Sequence, residues 1–488
     1  MKHWFLYTLL LLALLYACDK EEDYLLDSSA EISFSLDTLR FDTVFAEIGS
    51  ATRYVKIYND NDQPILLNSV RLANGDNSSF RINVDGIPAN DVQNVEIAAQ
   101  DSLYVFAEVT VDPDNPLSIS PYVIEEFLEV ELNGVSRRVL LEAWGQNANY
   151  IPSRFGQGSG ALISCDFGEV TFDDPKPYVI YGVLLLDSCT LNIPAGTEIF
   201  VHGGIVRMGI LGENYNDGNI FVLPDGKLNI RGTAEDPVTI QGDRLEADFQ
   251  EVPGQWGGIY LSRNSRGNRI EHAVVKNARF GVIADSASTL VMLSSVVANS
   301  ISGGLIGVHA SISANNCLFY GNGGNAVQLE YGGNYDFRYC TLASYGVDNS
   351  ALRLSNALCL DQLCTMARLN NLNANFVNSI VFGSRRDEVE MFNLDEADFN
   401  YSFENCVVKI EELIEDVPDF YDHCNPCIPE AGNTDILLFK EVDENDYHLD
   451  SLSIAEGFAT PLSSILLDLE GTTRDLSNPD AGCFEKVE

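Results

Sequence analysis

Three basic side chains, His272, Lys276 and Arg279, fall close together in a chain that is otherwise poor in cations. A lyase acting on a uronate polymer needs such a base, with a cation beside it to neutralise the substrate carboxylate. A glycoside hydrolase needs two carboxylates flanking the bond, about 5–5.5 Å apart for retention and about 6.5–9.5 Å for inversion. The carboxylates nearest the trio in sequence, Glu271, Asp285, Glu330, Asp336 and Asp348, are scattered and form no pair on one strand. The trio therefore reads more simply as surface charge, with catalysis left open. The aromatic residues Trp256, Tyr260, Tyr320, Tyr331 and Tyr335 offer a second chemistry, flat faces on which a sugar ring stacks. Asn214, Asn216 and Asp217 bring together oxygen donors of the kind Ca²⁺ takes, as does the Asn59–Asp62 run, although a turn explains both. No other cofactor is indicated: G-x-S-x-G, phosphate-loop and H-E-x-x-H motifs are absent.

The elements that must position these groups belong to a chain of 488 residues with 72 acidic against 29 basic side chains, a net charge of -43. With 45% hydrophobic residues it buries a core. Its charge repels nucleic acid and bare anionic lipid, and makes polyanions poor ligands.

The first 18 residues join Lys2 to an apolar run from Trp4 to Tyr16, the length of a signal-peptide core. The ending Leu15-Tyr16-Ala17-Cys18 resembles a bacterial lipobox. That resemblance implies cleavage of residues 1–17 and acylation of Cys18, which then holds the protein to a lipid membrane. The acidic run Asp19 to Asp23, in a linker spanning 18–30, resembles the export tag of Bacteroidetes surface lipoproteins. It implies an outer-membrane lipoprotein exposed at the cell surface.

Residues 31–150 alternate apolar and polar positions in short runs, as in RYVKIY (53–58) and DSLYVFAEV (101–109). Asn133-Gly134 between two such runs marks a hairpin. These features predict a β-sandwich of immunoglobulin-like size. FDTVFAEIGSATRYVKIYN, FRINVDG and LLEAWGQ are similar to an N-terminal domain of Bacteroidetes surface lipoproteins, which implies a spacer or presentation role.

From residue 151 a repeat takes over. The blocks starting at His272, Ser294, Cys317 and Cys340 lie 22, 23 and 23 residues apart. Their third residues, Val274, Val296, Phe319 and Leu342, are all apolar; Asn277, Asn299 and Asn322 close the first three. Short strands and turns at this period predict a parallel β-helix. The apolar residues form an inward column and the asparagines a corner row. About 330 residues allow at most about fourteen turns. NNCLFYGNGGNAVQL and LPDGKLNIRGTAEDPVTIQG resemble right-handed parallel β-helix repeats of the same lipoproteins. DLEGTTRDLSNPDAGCFE resembles their closing segment. The fold class expected is thus all-β: an Ig-like β-sandwich, a right-handed parallel β-helix over 151–430, and a C-terminal cap over 431–488.

Ten cysteines follow Cys18, in a compartment that permits disulfides. Cys165 and Cys189 are candidate partners. Cys317 and Cys340 share a repeat position, where they either bond or stack as buried thiols. Cys424 and Cys427 form a C-N-P-C that suits a turn disulfide or longer-range bonds better than zinc or redox chemistry. Cys483 stands where the resembled closing segment carries a small residue, which makes Cys406, Cys424 or Cys427 its partner.

The expected function is non-catalytic binding or adhesion, with glycans or surface polymers as partners. A polysaccharide lyase or glycoside hydrolase, or a purely structural surface component, are the alternatives.

Overall fold

The computed structural model describes residues 24–45, 50, 52–110, 122–146, 148–152, 161–203, 205–207, 214–216, 218–245, 247–361, 364–425, 427–429 and 438–486. Cys18, the signal segment and Asp217 lie outside the described residues. The chain divides into two compact units between Asn147 and Ala148.

The first unit is a sandwich of two five-stranded sheets. One runs Ile32–Phe34, Arg53–Asn59, Ser102–Val109, Phe80–Val84, Ile87–Pro88; the other runs Thr38–Phe45, Val135–Gln146, Tyr122–Leu132, Ile65–Leu72, Asp91–Ile97. The first two segments therefore lie in opposite sheets, and Thr38–Phe45 pairs parallel to Val135–Gln146. Alternation does the sorting: Val55, Ile57, Val105 and Ala107 enter the core, while Tyr54, Tyr104 and Phe106 point out. Asn133 (φ 49°) and Gly134 (φ 81°) make the two-residue hairpin turn the sequence predicts. The Asn59–Asp62 run is a turn. Buried Asn59 donates to the carbonyls of Gln63, Ile97 and Ala98 at 2.9, 3.2 and 2.8 Å.

The second unit is a parallel β-helix. Three parallel sheets, here A, B and C, start with Asn149–Pro152, Ala161–Ser164 and Glu169–Thr171 and contain 11, 9 and 9 strands. The chain visits A, B and C in turn, so nine three-stranded turns are present among the described residues, fewer than the fourteen allowed. Insertions consume the difference. They include the hairpin of Ile205–Arg207 with Asn214–Asn216, and the hairpin of Ala357–Cys359 with Ala367–Leu369.

The repeat alignment needs a correction of one residue. The stacked corner column is His272, Ser294, Asn316 and Tyr339, each with positive φ (44°, 43°, 52° and 51°), not His272, Ser294, Cys317 and Cys340. Cys317 and Cys340 belong one place later, with Ala273 and Ser295. The inward column is accordingly Val275, Val297, Phe319 and Leu342, all 0% exposed, while Val274 and Val296 face outward. Two valines in a row hid the slip, because side chains alternate faces along a strand. The corner asparagines are corrected likewise: Asn277 and Asn299 align with Gly321 (φ 63°), and Asn322 follows. A side chain at Gly321 would collide with Asn299 Oδ1, 2.3 Å from its Cβ position. Asn322 instead accepts from the Ser300 hydroxyl at 2.7 Å.

The end of the helix is closed by residues 410–425. Phe420 is fully buried against Phe403 and Tyr401, with ring centroids 5.6 and 5.9 Å away. The segment expected as an end cap lies elsewhere: residues 438–486 cover the outer face of sheet A. Leu438, Phe439, Tyr447 and Leu449 pack with outward Leu318, Ile380, Phe382 and Val407. That face is apolar because it is a second core, so the expectation of a solvated outer face fails there.

Cys165 and Cys189 are bonded across the first turns, with Cα atoms 5.0 Å apart. A second disulfide, Cys359–Cys364, closes the tip of an insertion and was not foreseen. Cys424 is disulfide-bonded, and the Cys427 side chain is not among those described. Cys317 and Cys340 stack as buried thiols, and Cys483 is also a buried thiol rather than a disulfide partner. Its backbone N–H bonds Thr341 Oγ1 at 3.1 Å. The stacked site wants a small side chain that can donate to the carbonyl two residues back. Cys317 and Cys406 do so at 3.3 and 3.2 Å, as the Ser295 and Ser379 hydroxyls do at 2.8 and 2.9 Å.

Candidate binding faces of the solenoid

The basic trio does not converge. His272 occupies a corner, and burial pulls its pKa down against the opposing charges of Glu271 and Glu235. Lys276 points outward four strand positions further, roughly 13 Å away by strand rise. Its Nζ lies 3.5 Å from Glu251 Oε1. Arg279 is exposed in the next turn, 5.4 Å from the Phe280 ring centroid. No base and neutralising cation meet here.

Most of the aromatic candidates are structural. Trp256 is fully buried and donates its indole N–H to the Lys276 carbonyl at 2.9 Å. Tyr335 is buried and donates to the Gly332 carbonyl at 2.9 Å. Tyr320 sits under Tyr447, centroids 5.0 Å apart, and burial pushes its pKa up to about 12. Tyr331 is a corner residue (φ 60°) beside His309. Tyr260 does face outward from sheet B, stacked in register with Phe221 at 5.4 Å. Its hydroxyl donates to Asp285 Oδ2 at 2.7 Å; burial, with that carboxylate adding, raises its pKa to about 12. The outward sheet B column reads Leu185, Phe221, Tyr260, Ile283, Ile306, then Gln328 and Arg353. Arg353 ends the apolar part, paired with Glu330 at 2.5 Å and also with Glu390. Asn214–Asn216 is one strand of a hairpin. Among the described residues no group of three or more His, Cys, Asp or Glu is placed to hold a metal.

A cleft of about 470 Å³ lies near the last turns, lined by Asp348, Asp387, Glu390, Glu412 and Arg385 among others. Its carboxylates have structural tasks. Asp387 Oδ1 accepts the N–H groups of Glu411, Glu412 and Leu413 at 2.7, 3.0 and 3.1 Å; Glu412 pairs with Arg386 and Glu390 with Arg353.

The outer face of sheet C carries the most regular polar array. Asn334, Asn373 and Asn400 occupy one register column on successive strands. Asn400 donates to Asn373 at 3.0 Å and Asn373 to Asn334 at 3.1 Å. Beside them, Ser402 donates to Asn375 at 3.0 Å. Earlier on the same face Asn229 donates to Asn192 at 2.6 Å, and Asn192 to Glu169 at 3.0 Å. Inside, Phe337, Phe376 and Phe403 stack in the same register, centroids 5.1 and 4.9 Å apart. That stack fixes strand against strand, and so fixes the amides above it. A carboxamide has two donors and two acceptor lone pairs. The central amide of the ladder uses one of each along it, leaving one of each for a ligand. Sequence reading missed this ladder because the 357–369 insertion breaks the period, separating its members by 39 and 27 residues.

No family model matches the chain, and no curated protein matches it. Among solved structures it is similar to a protein of unknown function from Porphyromonas gingivalis W83, at 12% identity and TM-score 0.18, covering 28% of this chain and 59% of that one. It is similar to a family 123 glycoside hydrolase from Clostridium perfringens at 7% identity and TM-score 0.20, covering 40% and 48%. A third is the catalytic unit of a GH87 alpha-1,3-glucanase from Streptomyces thermodiastaticus strain HF3-3, at 8% identity and TM-score 0.26, covering 72% and 75%. The chain thus spans less than two thirds of the first two. The β-helix assignment rests on the strand pairing above.

Proposed function

We propose that the chain is a non-catalytic binding protein that lays an extended, uncharged glycan across the outer face of sheet C. The observation carrying this reading is the Asn334–Asn373–Asn400 ladder, with Asn375 and Ser402 beside it. Strands about 4.8 Å apart repeat the same donor and acceptor, which suits a ligand whose hydroxyls also repeat. The net charge of -43 disfavours polyuronates and polysulfates. The protein is proposed to act at the cell surface, tethered by acylated Cys18.

The test is a panel of insoluble and soluble neutral glycans, assayed for retention of the protein and for new reducing or unsaturated ends. Retention without new ends supports the reading. Product formation on any glycan, or retention unchanged by Asn373→Ala with Asn400→Ala, refutes it. For the tether, Cys18→Ala should move the protein out of the membrane fraction; unchanged fractionation would refute that part.

A further inference from the structure

The sequence gives the N-terminal sandwich no ligand. Its first sheet nonetheless presents an aromatic platform on the outer face. Tyr54, Tyr104 and Phe106 are 49%, 38% and 38% exposed. Tyr104 and Phe106 lie nearly parallel, 11° between planes and 5.8 Å between centroids, and Tyr54 meets Tyr104 edge-on at 5.2 Å. Exposed aromatic rings in contact across two strands hold a sizeable apolar surface in water. Their positions follow from the register: Tyr54 is opposite Phe106, and Phe106 opposite Asn83 on the next strand.

Where the platform ends, a cleft of about 820 Å³ begins, the largest described in either unit. Phe106, Asn83, Arg81, Glu108, Asp76 and Pro88 line it. It combines an aromatic wall, a guanidinium, two carboxylates and an amide. Asn83 Oδ1 is shut from solvent, yet no donor among the described residues reaches it. A buried acceptor without a partner costs about 1–3 kcal/mol. An amide torsion is soft, so a donor placed in the cleft can claim that oxygen.

We propose that this platform and cleft form a second binding site, for a neutral pyranose ring of a glycan. The ring's C–H face stacks on Phe106 and Tyr104, and its hydroxyls reach Asn83, Arg81 and Glu108. Charge selects this occupant. Polyanions are disfavoured by the net charge. Ammonium-bearing ligands meet Arg81 in the cleft and Lys56, whose Nζ sits 4.5 Å from the Tyr104 ring centroid without a carboxylate partner among the described residues. An uncharged ring that both donates and accepts fits carboxylate and guanidinium together.

The experiment is titration calorimetry of the full chain with hexasaccharides: cello-, malto-, laminari- and xylo-oligomers as neutral probes, oligogalacturonate as the anion, and oligoglucosamine as the cation. Three variants are compared: Tyr104→Ala with Phe106→Ala, Arg81→Gln, and the ladder variant Asn373→Ala with Asn400→Ala. At least one neutral hexasaccharide should bind. The aromatic double variant should lose about tenfold or more in affinity, and Arg81→Gln should weaken binding without altering the melting temperature. The ladder variant should retain this binding event, so the site stands or falls separately from the solenoid reading. Absence of binding by every neutral probe, preference for either charged probe, or full affinity in the two sandwich variants would overturn the proposal. Should the double variant unfold, Arg81→Gln decides alone, because its exposed side chain is not part of the core.

Discussion

Arg474 is 3% exposed and is the side chain that ties the C-terminal segment to the solenoid. It donates to Asn316 Oδ1 at 3.0 Å, to the Gly482 carbonyl at 2.9 Å and to Glu485 at 3.2 Å. Its guanidinium also lies 3.9 Å from the Tyr339 ring centroid. Asn316 and Tyr339 are neighbours in the corner column, so one side chain reads two turns at once. Removing one partner of a buried pair strands the other charge, so Arg474→Ala should cost about 3–5 kcal/mol. Denaturant unfolding would show this; a loss below about 1 kcal/mol would contradict the role. Glu388 is the other buried charge with a consequence. Burial raises its pKa to about 7, against the lowering effect of the Arg385 and Ala351 N–H groups. Folded Glu388 therefore keeps its proton to higher pH than the unfolded chain does. Its stabilising contribution is complete below about 4.5 and lost as pH rises through about 7. The stability of wild type relative to Glu388→Gln should fall by at most about 3 kcal/mol across that window. A flat difference, or one that rises with pH, would contradict it.

At the scale of strands, the repeat was legible because a β-helix returns to each sheet at a constant interval wherever no insertion intervenes. Residues 272–345 meet that condition, and the stacking of turns was readable there. The register was not, because Val274-Val275 and Val296-Val297 offer either residue to the core. The amide ladder was hidden for a different reason. Asn334, Asn373 and Asn400 are neighbours only after the hairpin of Ala357–Cys359 with Ala367–Leu369 is looped out. Periodicity in sequence carries no information across such a gap. The aromatic candidates failed because Trp256 and Tyr335 satisfy their polar atoms inside the fold, a pairing that residue type alone does not reveal. A pair of substitutions tests the corrected register. Val275→Asp places an unpaired charge in the core and should cost more than about 4 kcal/mol, whereas Val274→Asp should cost less than about 1 kcal/mol. Thermal melts of both decide it, and equal losses would contradict the assigned faces.

For the whole molecule, a strongly negative surface surrounds a few uncharged, regular faces. Sheet A is closed off by the C-terminal segment, and sheet B is apolar early and ion-paired late. Sheet C keeps its amides in a row, held by the phenylalanine stack beneath. A face of this kind gains affinity by adding equivalent contacts along one ligand rather than by one deep pocket. The most direct measurement is the affinity of the full chain for a neutral glycan as a function of its length, in wild type and in Asn373→Ala with Asn400→Ala. The account predicts affinity that climbs with each added sugar until the ladder is spanned, and a climb that vanishes in the variant. Affinity independent of length, or an undiminished climb in the variant, would contradict it.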